Sequence, residues 1–85
     1  MKISISPGDL VVAKNDFSLY ENEHEPSESF LVKKGSAALV IAVKSYENDA
    51  KYVCMYLLRL KSGQVGWTFH LRSDVKDTYS VLATT

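Results

Sequence analysis

Cys54 and His70 are the first residues to weigh for chemistry, since one is the only thiol of the chain and the other is one of its two imidazoles. A thiolate nucleophile needs a histidine at hydrogen-bonding distance and a third group to orient it. Cys54 stands in the apolar run 52–60, where a small buried hydrophobe is the expected role. His24 sits among glutamates, and without two His or Cys ligands at defined spacing no bound transition metal is expected. The glycines Gly8, Gly35, Gly63 and Gly66 fall at turns or strand entries and form no phosphate-cradling loop. The expectation is a non-enzymatic chain with no cofactor, no metal and no small-molecule substrate.

Aromatic side chains are better placed for binding. Tyr20, Tyr46, Tyr52, Tyr56 and Trp67 are the expected partner-binding residues. Tyrosine suits an interface because its ring docks while its hydroxyl stays wet. Trp67 and Phe69 stand two apart and share one face of a strand. Pointing inward they are core; pointing outward they border a groove with Tyr20, Tyr46 and Tyr52. In the run 52–60, Val53, Met55, Leu57 and Arg59 share one face, and Tyr52, Cys54, Tyr56, Leu58 and Leu60 the other. Both faces are apolar. Either the sheet bends so that both are covered, or one is left for a partner or a second copy.

Ten basic and ten acidic residues cancel to a net charge of zero, which argues against broad electrostatic attraction to nucleic acid or anionic lipid. The charges are unevenly placed. Segment 15–29 holds Asp16, Glu21, Glu23, Glu25 and Glu28 with no Lys or Arg. It reads as a solvated loop, or as a wall that favours a basic partner segment within a screening length of about 8 Å. Lys33, Lys34, Lys44, Lys51, Arg59, Lys61, Arg72 and Lys76 supply the compensating charge, and a few of them grouped would make a nucleic-acid patch.

The elements that must position these residues are short. A chain of 85 residues is one domain, 1–85, by size alone. β-Branched runs bounded by turn signals predict strands over 9–14, 37–43, 52–60, 65–69 and 79–82. Residues 71–74 predict one helical turn, and no longer helix is expected. The longest apolar stretch, 37–43, is far short of the roughly 20 residues that span a membrane. With Pro7-Gly8 interrupting any apolar leader and a single cysteine, the expected location is the cytoplasm.

The order of these signals resembles Src-homology-3-like barrels of the bacterial type. The matching residues are Leu19-Tyr20-Glu21 in the long loop, Phe30 to Gly35 at the diverging turn, Leu39-Val40-Ile41 in the second strand, Gly63 in the distal hairpin, and Gly66-Trp67 opening the fourth strand. The resemblance covers about residues 9–82. It implies an all-β fold: a five-stranded barrel with a long acidic loop after strand one and one helical turn before the last strand. The two-faced apolar run 52–60, the loop aromatics and the missing catalytic constellation point to a protein-binding role, the partner being another protein or a second copy. Members that grip proline-rich peptides carry a Trp early in the third strand and a Pro-x-x-Tyr segment at the helical turn. Here the third strand opens Tyr52-Val53 and the turn reads Phe69-His70-Leu71-Arg72, so a standard proline-rich ligand is not expected. A small self-contained barrel also resembles small bacteriophage proteins, which implies a host or viral protein as partner. The alternatives are a nucleic-acid-associated barrel, or a subunit of a larger particle whose sheet edge pairs with a neighbour.

Overall fold

A computed structural model describes residues 5–21, 28–45 and 51–83 of the chain. Its elements are β1 (Leu10–Ala13), β2 (Phe17–Tyr20), β3 (Ser29–Val32), β4 (Ala37–Ser45), β5 (Tyr52–Arg59) and β6 (Val65–Leu71). A 3-10 turn (Arg72–Asp74) runs into α1 (Val75–Thr78), and β7 (Tyr79–Ala83) follows. All seven strands belong to one curled antiparallel sheet in the order β3-β2-β6-β5-β4-β1-β7. No helix among the described residues is long and apolar enough to cross a membrane.

This all-β architecture corrects the expected five strands and long acidic loop. Phe17 and Leu19 alternate with Ser18 and Tyr20, and that short alternation suffices for β2 to pair β3 from Phe17↔Val32 to Tyr20↔Ser29. Glu21 N–H then donates to Glu28 O at 3.3 Å. The described part of the acidic segment is therefore largely hairpin. Residues 22–27, with His24, Glu23 and Glu25, lie outside the described residues.

The core lies on the concave side. Val53, Met55 and Leu57 of β5 are fully buried and pack with Val11, Ala13, Phe17, Leu19, Val32, Val40, Val75 and Tyr79. Between β3 and β4 the chain turns at Lys33–Ser36, where Gly35 takes φ 94°, a region an L side chain resists. Asp16 Oδ1 accepts the Lys34 N–H at 2.8 Å and braces this turn from β2's side. The last carbonyls of α1 find donors across the fold. Lys14 Nζ reaches Lys76 O at 2.8 Å and Asn15 Nδ2 reaches Asp77 O at 3.0 Å, so a one-turn helix ends without orphaned acceptors.

One irregularity decides which way β4 points its charge. Val40 pairs with Leu57 and Ala42 with Tyr56, so Ile41 is an extra residue in the ladder. Before this bulge Ala38 and Val40 face the core; after it Val43 packs on the core and Lys44 turns outward. A bulge inverts the alternation of the strand beyond it.

Candidate functional site

Inward alternation at Gly66, Thr68 and His70 sends Trp67 and Phe69 to the outer, convex face of β6. The close approach that permits this is at Gly66. A Cβ there would meet Leu19 Cβ at 2.9 Å and Tyr20 O at 3.2 Å, so only glycine lets β2 lie against β6. Register then aligns three rings on three neighbouring strands: Tyr20 pairs with Trp67, and Trp67 with Tyr56. The Tyr56 and Trp67 rings are 4.6 Å apart between centroids, and Tyr20 and Phe69 5.6 Å. Lys44, turned outward by the Ile41 bulge, holds its Nζ 5.1 Å from the Trp67 ring centroid, a cation–π distance.

Of the residues expected at a binding surface, Tyr20, Tyr56 and Trp67 are thus together, each half-buried. Tyr52 shares their face of β5 but lies at its start, opposite Leu71, with 42% of its surface exposed. Tyr46 lies outside the described residues. Phe69 and Lys44 complete the row. Phe69 was legible as sharing a face with Trp67, whereas Lys44 required knowledge of the bulge. The question left open for Trp67 and Phe69 is resolved outward, because Thr68 and not Trp67 is the buried residue of that stretch.

Cys54 and His70 do not meet. Cys54 is registered against Phe69, and His70 against Val53, one residue out of phase. Cys54 is buried yet stands on the outer side, between Lys44 and Phe69 in register. His70 points inward, its ring edge-on to Phe17 at 6.1 Å and to Tyr79 at 5.3 Å. Its Nε2 lies 2.8 Å from Thr68 Oγ1 and 2.6 Å from the Tyr79 hydroxyl. Burial pushes the His70 pKa down to about 4, with Asp74 pulling weakly the other way. The same burial raises the Tyr79 phenol above its ordinary value, opposed by its hydrogen bond with Thr68. At neutral pH both groups are uncharged. Neutral imidazole and two hydroxyls make a satisfied polar knot inside the sheet, one that sequence reading missed because Thr68, His70 and Tyr79 meet only through the β6–β7 fold.

Among the described residues no group of three or more His, Cys, Asp or Glu side chains is placed to hold a metal ion. Among the described residues, the outer face around Trp67 offers aromatic area with the Lys44 ammonium beside it. No family model, no curated protein and no solved structure matches this chain significantly.

Proposed function

We propose that this chain is a non-enzymatic protein-binding module of Src-homology-3-like type, which docks a partner segment on the outer face of β2, β6 and β5. The observation that carries the reading is the in-register row Tyr20–Trp67–Tyr56. Three half-buried rings on adjacent strands offer rigid contact area at low entropic cost, the chemistry over-represented at protein interfaces. The occupant that fits is an extended protein segment bringing aliphatic side chains to the ring faces, with a Lys or Arg for the indole that already receives Lys44.

Selection of peptides from a displayed random library on the immobilised protein tests this. Enriched peptides should carry an aliphatic and basic pattern, and their binding should fall on the order of tenfold or more with Tyr56→Ala or Trp67→Ala. Absence of any enriched pattern, or binding indifferent to both substitutions, overturns the reading.

A second reading draws on the same cation. Lys44 over Trp67, with Lys51 and Arg72 joined near the same end of the sheet by the Arg72 N–H to Lys51 O bond, makes aromatic rings bordered by positive charge. That is the make-up of a single-strand stacking platform. Oligonucleotide affinity falling steeply with added salt would favour it over a protein partner.

A further inference from the structure

Away from the aromatic row, the turn after β3 meets the β5–β6 hairpin and a cleft of about 590 Å³ opens between them. Ligand pockets commonly measure roughly 300–1,000 Å³. Among the described residues, its ionisable lining is Lys34, Arg59 and Lys61, with no Asp or Glu. In a chain whose charges cancel overall, positive charge is gathered into one concavity, where low-dielectric walls focus the field.

The walls are braced. Leu60 N–H donates to Ala37 O at 3.2 Å across the cleft, and Gly35 N–H to Ala13 O at 2.8 Å behind it. Arg59 is partly buried, and one of its Nη1 hydrogens is taken by Gln64 Oε1 at 2.9 Å. That bond fixes the plane of the guanidinium and leaves its other donors for a paired contact with two oxygens of one oxyanion. Ala37 and the half-exposed Leu60 supply an apolar margin.

We propose that this cleft binds a small organic phosphate: a di- or triphosphate held by Lys34, Arg59 and Lys61, its less polar body resting on Ala37 and Leu60. Three cations lining one cleft match a multiply charged oxyanion better than a single carboxylate does. The proposal is independent of the aromatic face and concerns binding only.

Amide chemical shifts of the labelled chain, titrated separately with adenosine 5′-diphosphate, adenosine and inorganic pyrophosphate at low salt, test it. The diphosphate should move the amides of Gly35, Ser36, Leu60 and Lys61, while adenosine leaves them in place. Pyrophosphate should bind more weakly than the diphosphate. Doubling Lys34→Gln with Lys61→Gln should weaken the diphosphate on the order of tenfold, and melting curves check that these exposed turn substitutions leave the fold intact. No response to the diphosphate, equal shifts with adenosine, shifts centred on Trp67 and Tyr56, or indifference to the double variant each overturn the site. Pyrophosphate binding as tightly as the diphosphate overturns the apolar part. Tighter binding by an oligoglutamate peptide than by the diphosphate overturns the ligand class in favour of an acidic protein segment.

Discussion

His70 Nε2 lies 2.6 Å from the Tyr79 hydroxyl, which ties the end of β6 to the first residue of β7 across the connecting helical turns. Thr68 Oγ1 joins the pair at 2.8 Å, and Phe17 closes over both rings. The knot therefore couples β2, β6 and β7, which are not all neighbours in the sheet.

Protonation of His70 works against the fold at acid pH. The folded His70 pKa is about 4 against 6.5 for the ordinary group. Between those values the unfolded chain binds a proton that the folded chain refuses, so stability rises with pH across that window. It is fully present above 6.5 and is lost as pH falls toward 4, by up to about 3 kcal/mol. Urea unfolding at a series of pH values should trace this slope, and His70→Gln should flatten it. A wild-type slope unchanged in the variant would place the titration elsewhere.

Gly66→Ala tests the contact that brings Tyr20 beside Trp67. The new Cβ meets Leu19 Cβ at 2.9 Å, and Leu19 is wholly buried with nowhere to retreat. Overpacking of this kind costs about 1–3 kcal/mol. The expected result is a lowered urea midpoint together with weaker Tyr20 and Phe69 contact, read from ring-proton shifts. A midpoint equal to wild type would mean that β2 moves away freely.

Much of this was legible in the sequence, and the residues show where legibility stopped. Two-residue alternation divided the 52–60 run into its two faces, and the observed inner set Val53, Met55 and Leu57 is one of them. Period alone has no sign, however: both sets are apolar, so the inner one emerges only from packing against β1, β2 and β7. The hairpin of β2 and β3 was hidden because five carboxylates over 15–29 outweigh four alternating residues in any compositional reading. Strands β4 and β6 ended two residues beyond the expected 43 and 69, Lys44-Ser45 and His70-Leu71 being polar or isolated in sequence yet paired in the ladder. The row of Tyr20, Trp67 and Tyr56 was foreseeable as a set of aromatics, but its geometry depends on register, which single strands do not encode.

The outward orientation of Trp67 lowers what its removal should cost. A fully buried indole replaced by alanine loses about 3–5 kcal/mol. Trp67 is only half-buried on the convex face, so Trp67→Ala should cost about 1–2 kcal/mol by area. Leu57→Ala, which empties a wholly buried core position, should cost about 2–5 kcal/mol. Chemical unfolding of both variants ranks them. Equal or reversed costs would put the indole in a core it does not occupy here.

Ile41 offers the sharpest test of how β4 is phased. As the extra residue of the bulge it is 42% exposed, so Ile41→Ala should change stability by less than about 1 kcal/mol. Deleting Ile41 is a different perturbation. Without the extra residue, Val40, Ala42, Val43 and Lys44 follow one another opposite Leu57, Tyr56, Met55 and Cys54, so the ladder becomes regular with Val43 still inward and Lys44 still outward. The deletion should therefore cost less than about 3 kcal/mol and leave the Trp67 indole in its present surroundings, as urea unfolding and the indole ring-proton shifts would read. A larger loss, or an indole whose shifts move to those of an exposed ring, would mean that the bulge does more than set the phase of the strand beyond it.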